Sequence, residues 1–249
     1  MNNLFKITSL TNPHIKELAL LSDSKERKNK SKVLIEGEHL VSEAYSLGIL
    51  EEILIVDEKD YLDGVTNYLV TKDIIKKLSN TITPQNIIGV AKIKKQDIVY
   101  GDTILLLDGI SDPGNLGTII RSAKAFGVSS IILSEGSIDI YNEKVIRATQ
   151  GQIFKMPILK KDLNEVIDDL KRREYLIFST ALKNALNLQD IKEVNKYALI
   201  LGNEANGISS EVIKKSDASI KIEMDEAVES LNVAVAGAIC LYTLNSKRK

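Results

Sequence analysis

Three short segments in the C-terminal half combine glycine with asparagine or serine in patterns typical of ligand-binding loops. They are DGISDPGNLGTIIRSAKAFG at 108–127, LGNEANGIS at 201–209 and VESLNVAVAGAI at 228–239. The first segment follows the apolar run TILLL, and the second follows the apolar run YALI. Glycine lets a backbone approach a ligand closely, and the free amides at a helix N-terminus favour an anionic group. The three segments therefore predict a shared pocket.

Arg121 is the charged side chain in the first segment that could act on such a ligand. Leu116, Ile119, Ile120 and Ala123 fall on one face of a predicted helix and should pack on a sheet, whereas Arg121 points elsewhere. A guanidinium beside a backbone-lined concavity suits a phosphate or a carboxylate. The alternative is an ordinary solvated arginine on a helix surface.

Residue spacing disfavours several other chemistries. The first segment lacks the Lys-Ser or Lys-Thr pair of a phosphate-binding P-loop, and its glycines do not match the G-x-G-x-x-G pattern of nucleotide-binding oxidoreductases. Both histidines, His14 and His39, precede this half of the chain, and Cys240 lies in an apolar helical pattern typical of core packing. A histidine base, a cysteine nucleophile and a His/Cys metal site are therefore not expected there.

Predicted strands and helices alternate along the whole chain, which indicates an α/β fold. We predict a smaller α/β domain over 1–95, a linker over 96–102 and a domain over 103–249 whose near-continuous apolar strands indicate a parallel sheet. Ligands in such sheets sit at the carboxyl ends of the strands. In this interpretation Asn115 caps a helix over 115–126, and Ser230 caps a last helix that begins at Leu231.

Composition points to a globular protein without a strong global charge. The 249 residues are 44% apolar and 27% charged, and the formal net charge is −1. Neither a secretory signal nor an apolar run long enough to cross a membrane is apparent, so we expect a cytoplasmic protein that binds no membrane. Nucleic acid would require a local basic patch. The run SKERKNKSK at 24–32 is a candidate; its alternative is a solvated loop, and its cationic side chains are Lys25, Arg27, Lys28, Lys30 and Lys32.

The three segments, in this order, resemble the motifs of the SpoU/TrmH family of S-adenosylmethionine-dependent RNA 2′-O-ribose methyltransferases. The segment KNKSKVLIEGEHLVSEA resembles the substrate-binding domain that many of these enzymes carry. The resemblance implies a SPOUT-type C-terminal domain with a deep trefoil knot, a homodimer, S-adenosylmethionine as cofactor and no metal. Its cofactor contacts fall on Gly202, Ile222 and Leu231. Its catalytic and substrate-placing positions fall on Asn115, Arg121, Glu204, Ser230 and Asn232.

The resemblance implies methylation of a ribose in structured RNA, with large-subunit (23S) ribosomal RNA as the expected substrate. Transfer RNA and a catalytically silent RNA- or ribosome-binding role are the alternatives. The chain departs from the family pattern Ile-Pro-Met-x-Gly, because Glu223 and Glu226 replace the proline and the glycine. Arginine stays protonated, so we interpret Arg121 as a phosphate clamp that orients the hydroxyl, while phosphate or water takes the proton.

Overall fold

The computed structural model describes residues 3–182 and 184–248, and the chain divides into two compact units. Unit 1 comprises Met1–Lys95 and Tyr141–Phe154, and unit 2 comprises Gln96–Ile140 and Lys155–Lys249. The segment Tyr141–Phe154 thus groups with unit 1, whereas the sequence-based division placed it in the C-terminal domain.

Strands and helices alternate throughout the described chain. In chain order they are β1 (Leu4–Ile7), α1 (Pro13–Ala19), α2 (Ser24–Lys30), β2 (Lys32–Glu36), α3 (Glu38–Ser46), β3 (Leu50–Ile55), β4 (Thr66–Val70), α4 (Lys72–Leu78), β5 (Ile87–Lys92), β6 (Thr103–Asp108), α5 (Pro113–Ala125), β7 (Ser130–Leu133), α6 (Glu143–Thr149), β8 (Ile158–Lys160), α7 (Leu163–Arg172), β9 (Leu176–Thr180), β10 (Leu186–Asn187), β11 (Tyr197–Gly202), α8 (Ser210–Lys215), β12 (Ala218–Lys221) and α9 (Val233–Ser246). Short 3₁₀ turns cover Leu20–Ser22, Glu58–Asp60, Gln152–Phe154 and Leu188–Asp190.

Unit 1 is built on a five-stranded mixed sheet with the order β1-β4-β3-β5-β2. Strands β1, β4 and β3 run parallel, and β5 pairs antiparallel with both β3 and β2. The apolar faces of α1 and α4 pack with the sheet in one buried cluster that includes Ile15, Leu54 and Ile74. Strand β1 was not predicted, because its four residues, LFKI, are too few to show a clear alternation of buried and exposed positions.

Unit 2 is built on a seven-stranded sheet with the order β10-β12-β9-β11-β6-β7-β8. All of its pairings are parallel, which confirms the parallel sheet expected for the C-terminal half. The central strands β6 and β11 are buried along almost their whole length, as their continuous apolar sequences indicate. Their carboxyl ends therefore share one edge of the sheet, where the predicted ligand loops begin.

The predicted linker 96–102 has no helix or strand, but its last residues are fixed to unit 2. The Val99 amide donates a hydrogen bond of 2.8 Å to Ser130 Oγ, and the Tyr100 hydroxyl donates one of 2.9 Å to Asp169 Oδ2. The Arg173 guanidinium lies 3.8 Å from the centre of the Tyr100 ring. Residues 99–101 therefore belong to the surface of unit 2.

Two helices of unit 2 begin at residues other than those predicted. Asp112, not Asn115, is the N-cap of α5: its Oδ1 accepts the Asn115 backbone amide at 2.7 Å, and Pro113 occupies the first turn. Asn232, not Ser230, is the N-cap of α9, and its Oδ1 accepts the amides of Ala234 and Val235. Both corrections leave the side chains of Asn115 and Ser230 available for other contacts.

Candidate active site

The first two predicted loops leave neighbouring strands and are joined directly to each other. Strands β6 and β11 pair in parallel register, with Asp108 opposite Gly202 at their carboxyl ends. Beyond the strands, Asp108 Oδ2 accepts the Ser209 amide at 2.8 Å, and Asn203 Nδ2 donates to the Gly109 carbonyl at 2.7 Å. These two bonds hold the loops together. Neither the Asp108 nor the Asn203 side chain was predicted to have this role.

Asn115 connects all three predicted loops through its side-chain amide. Its Nδ2 donates a hydrogen bond of 2.6 Å to Glu204 Oε1 in the second loop, and its Oδ1 accepts one of 2.8 Å from Asn232 Nδ2 in the third. An amide can donate and accept at the same time, and the network requires both functions. The three segments therefore contact one another in the structure, as predicted.

A cavity of ≈ 790 Å³ opens beside this network. Its volume lies within the range of about 300–1,000 Å³ that is typical of small-molecule sites. The second and third loops supply most of the wall, together with the ends of β9 and β12; the lining includes Gly202, Glu204, Ile222, Ser230, Leu231 and Asn232. All three positions assigned to cofactor contact therefore line one cavity.

The two acidic residues that replace the family's proline and glycine lie outside this lining. Glu223 and Glu226 are both exposed, whereas the neighbouring Ile222 and Met224 line the cavity. The chain thus presents apolar side chains to the cavity from the segment in which the sequence departs from the family.

Gly202 is required by the backbone geometry at the base of the second loop. A Cβ atom built at this position would lie 2.3 Å from the Gly207 carbonyl carbon and 2.4 Å from the Ile208 nitrogen. The loop folds back this closely because Asn203 and Gly207 form an isolated antiparallel bridge, and Gly207 adopts a φ of +68°. Any side chain at position 202 would force the cavity wall apart.

Arg121 lies on the exposed side of α5, outside the cavity lining. Leu116, Ile119, Ile120 and Ala123 are buried on the opposite side, as the helical spacing predicted. Within the described residues, no carboxylate forms an ion pair with Arg121. The guanidinium is therefore accessible to a ligand approaching from solvent.

Cys240 is buried in α9, with 1% of its surface exposed, and this confirms the predicted core position. Burial raises the pKa of its thiol to about 12, because the thiolate would lose its hydration. The side chain also reaches the cavity wall. It is protonated at neutral pH and is no candidate nucleophile.

Most of the basic run of unit 1, residues 24–30, forms helix α2 and not a loop, and Lys32 begins β2. Arg27 is only 8% exposed, and its Nη1 donates to the carbonyls of Leu21 and Ser22 at 2.8 and 2.7 Å. Its assignment to an RNA-binding surface is therefore wrong: the guanidinium ties α2 to the preceding 3₁₀ turn. The sequence signal for this role is that α2 (SKERKNK) contains no apolar residue, so the stem of an amphipathic side chain must cover its buried side.

The other four cations of this run differ in their surroundings. Lys30 pairs with Glu17 at 2.5 Å, and this contact lowers the pKa of the Glu17 carboxyl. Lys32 lies 3.0 Å from Glu51 and 3.3 Å from Glu52. Lys25 and Lys28 are exposed on α2 and are the members of the run best able to meet a phosphate.

Within residues 3–182 and 184–248, no group of three or more His, Cys, Asp or Glu side chains could hold a metal ion. No helix in the same residues has both the length and the apolar character needed to cross a bilayer.

Comparison with known proteins identifies both halves of the chain. Residues 102–242 match the family model of the SpoU rRNA methylases, and residues 12–89 match the MRM3-like substrate-binding domain. The chain is 38% identical over 244 residues to the Bacillus subtilis 23S rRNA (guanosine(2553)-2′-O)-methyltransferase RlmP, covering 96% of this chain and 98% of that one.

Solved structures agree with this match. An AdoMet-bound rRNA methyltransferase from Sinorhizobium meliloti superimposes with a TM-score of 0.86 at 29% identity, and 98% of each chain is covered. A putative RNA methyltransferase of the TrmH family from Porphyromonas gingivalis gives a TM-score of 0.85 at 27% identity, covering 95% of this chain and 98% of that one.

The parallel sheet, the cavity at its carboxyl edge and these matches define an RNA methyltransferase. The chain belongs to the SpoU rRNA methylase family. The resemblance of the three motifs to this family is thereby confirmed, as is the expectation of an enzyme with an α/β parallel-sheet domain.

Proposed function

We propose that this protein transfers a methyl group from S-adenosylmethionine to a ribose 2′-hydroxyl of large-subunit ribosomal RNA. The observation that carries the proposal is the Glu204–Asn115–Asn232 network, which joins the three family motifs beside one cavity. The relative named as a 23S rRNA 2′-O-methyltransferase matches the chain over nearly its whole length, which favours the same reaction and the same class of RNA.

The cavity suits S-adenosylmethionine in size and in the nature of its wall. Backbone groups of the second loop and the apolar side chains of Ile222 and Leu231 would hold the cofactor, and Gly202 allows the loop its close turn. When bound, S-adenosylmethionine supplies an electrophilic methyl group on a sulfonium. The protein must then place a hydroxyl in line with that methyl group and keep the reacting atoms aligned.

Arg121 is proposed to hold the phosphate beside the target ribose. Its guanidinium is accessible on α5, the helix that also carries Asn115 in its first turn. A planar, permanently charged guanidinium can bind a phosphate through two parallel hydrogen bonds and stabilise negative charge on the nearby oxygen as it develops. Phosphate or water takes the proton.

Glu204, Asn115 and Asn232 are proposed to order the loops and the substrate around the cavity. Glu204 and Asn232 each lie on a loop that lines it, and Asn115 couples them. Ser230 also lines the cavity and is exposed, so its hydroxyl can reach a bound ligand. These residues position groups; neither a histidine nor a thiolate takes part.

Unit 1 is proposed to hold the RNA substrate, in accord with its match to a substrate-binding domain. The exposed Lys25 and Lys28 would contact phosphates without reading bases. Lys30 and Lys32 would contribute less, because the carboxylates of Glu17, Glu51 and Glu52 already neutralise them.

The functional form is proposed to be a homodimer that forms through α9. Val235, Ile239 and Tyr242 recur at helical spacing and leave 48%, 37% and 66% of their surfaces exposed, which gives an apolar stripe that a second copy could cover. Light scattering on the wild-type protein and on Tyr242→Glu tests the dimer.

By family resemblance the C-terminal domain would contain the trefoil knot. The ribosomal substrate would place the protein in the cytoplasm.

Methyl transfer to defined RNAs tests the function and its alternatives. Purified protein is incubated with radiolabelled S-adenosylmethionine and, separately, with 23S rRNA, large ribosomal subunits and bulk transfer RNA. We expect ribose methylation in the first two and none in the third, and the guanosine equivalent to position 2553 is the first nucleotide to inspect. Labelling of transfer RNA alone would support the transfer RNA alternative, and RNA binding without transfer would support the silent one.

A further inference from the structure

Three of the residues that line the cavity are charged, and two of them have no part in the network around Asn115. They are Glu204, Lys221 and Glu229; the other lining residues are apolar, uncharged polar or glycine. Two carboxylates and one ammonium give the lining a formal charge of −1. Within the part of the chain that the structure describes, Lys221 and Glu229 form no ion pair. Their charges are therefore available to a ligand in the cavity.

Lys221 and Glu229 line the cavity from different segments of the chain. Lys221 is the last residue of β12 and follows Ile220, which is fully buried and also lines the cavity. Glu229 lies in the segment before α9, next to Ser230. The positive and the negative charge thus come from separate segments of the lining, which favours one orientation of a ligand that carries both signs of charge.

The methionine end of S-adenosylmethionine carries the complementary set of charges. It has one carboxylate, one ammonium and one sulfonium, for a net charge of +1. We propose that Lys221 binds the carboxylate of this end, and that Glu229 together with Glu204 supplies the negative charge opposite the ammonium and the sulfonium. This inference rests on the proposed use of S-adenosylmethionine and adds side-chain recognition to the backbone contacts that the family resemblance implies.

The same arrangement favours release of the product. S-adenosylhomocysteine keeps the carboxylate and the ammonium but has lost the sulfonium charge, so its net charge is zero. A wall with an excess of negative charge attracts the substrate cofactor more strongly than this product. The difference is moderate, because the cavity is open to solvent and salt screens exposed charges.

Equilibrium binding to three adenosine ligands tests the role of Lys221 without turnover. Calorimetry would compare S-adenosylhomocysteine, decarboxylated S-adenosylmethionine, which lacks only the carboxylate, and 5′-methylthioadenosine, which lacks both amino-acid charges. Lys221→Met should weaken S-adenosylhomocysteine binding about tenfold, because a hydrogen bond to a charged group is lost. Binding of the two ligands without a carboxylate should not weaken.

Two further variants and a matched control complete the experiment. Lys221→Arg should retain most of the affinity for S-adenosylhomocysteine, since it keeps the charge. Glu229→Gln should weaken both ligands that carry an ammonium and leave 5′-methylthioadenosine unchanged. Lys214→Met removes an exposed lysine of α8 that does not line the cavity, and it should change none of the three affinities.

The possible outcomes separate this inference from the proposed function. Equal weakening of 5′-methylthioadenosine and S-adenosylhomocysteine in Lys221→Met would show that the lysine shapes the cavity and does not bind a carboxylate. Unchanged S-adenosylhomocysteine affinity would also overturn the assignment. If the wild-type protein bound none of the three ligands, the proposed cofactor itself would be wrong, and the inference with it.

Discussion

Asn115 Nδ2 lies 2.6 Å from Glu204 Oε1, although 89 positions separate the two residues in the chain. The amide also accepts a hydrogen bond from Asn232, so one side chain joins the loop after β6, the loop after β11 and the start of α9. The three motifs therefore act as one unit, and a change at Asn115 should affect all of them.

Asn115→Asp should make methyl transfer sensitive to pH. The new carboxylate would face Glu204 Oε1 and raise the pKa of the pair, since two like charges at this distance oppose each other. The pair can share one proton at low pH and loses it as the pH rises. We expect activity about 100-fold below wild type at pH 8, with partial recovery at pH 6, measured as kcat/KM at both values.

The controls for this prediction separate repulsion from loss of the amide. Asn115→Ala removes the network without adding charge, so its ratio to wild type should be the same at both pH values. Asn206→Asp adds a carboxylate to the exposed part of the second loop, and it should show no such recovery. A pH-independent ratio for Asn115→Asp would mean that the two side chains do not meet during catalysis.

Arg121→Lys tests the clamp. A lysine keeps the charge but cannot form two parallel bonds to a phosphate, so kcat/KM for RNA should fall about 100-fold while the Kd for S-adenosylmethionine stays the same. Arg172→Lys on α7, an exposed arginine paired with Asp169, is the matched control and should behave as wild type. If Lys at position 121 matched or exceeded wild type, a clamp would be the wrong description, and proton transfer through this residue would gain support.

Gly202→Ala should remove cofactor binding and destabilise unit 2. The added methyl group would lie 2.3 Å from backbone of the same loop, so the wall must move, and overpacking of this kind typically costs about 1–3 kcal/mol. Thermal unfolding and calorimetry with S-adenosylhomocysteine measure the two effects. Gly136→Ala is the control, because a Cβ there meets nothing within 4 Å. If Gly202→Ala bound S-adenosylhomocysteine with wild-type affinity, the turn at this position would not be required for cofactor binding.

Substitutions in the basic helix α2 should distinguish a structural residue, Arg27, from an RNA-binding pair, Lys25 and Lys28. Arg27→Met should lower the melting temperature, because the buried carbonyl of Leu21 and the partly buried carbonyl of Ser22 lose their donor. Lys25→Met with Lys28→Met should leave the melting temperature unchanged, weaken RNA binding and reduce the slope of log Kd against log salt by about 1.4–1.8. An unchanged slope would remove this pair from the RNA interface.

Periodicity and spacing were sufficient to predict the parallel sheet and the convergence of the three loops. Apolar strands such as β6 can be buried only in a sheet that is covered on both faces, and parallel strands bring their carboxyl ends to one edge. The buried face of α5 followed from its spacing in the same way.

The errors concern features that the backbone conformation decides and that residue types alone do not reveal. Asp112, Asn115, Ser230 and Asn232 are all chemically suitable caps, and only the backbone conformation decides between them. The burial of Arg27 depends on where the turn before α2 places its carbonyls. The grouping of Tyr141–Phe154 with unit 1 leaves no local trace, because a short amphipathic helix can pack on either unit.

Mapping of 2′-O-methyl groups across total RNA tests the central claim most directly. RNA from cells with and without the protein is compared, and the Arg121→Lys variant is expressed in the deficient cells. We expect that one ribose methylation in the large-subunit ribosomal RNA disappears without the protein, returns with the wild-type chain and stays reduced with the variant. An unchanged set of ribose methylations in all RNAs of the deficient cells would contradict it.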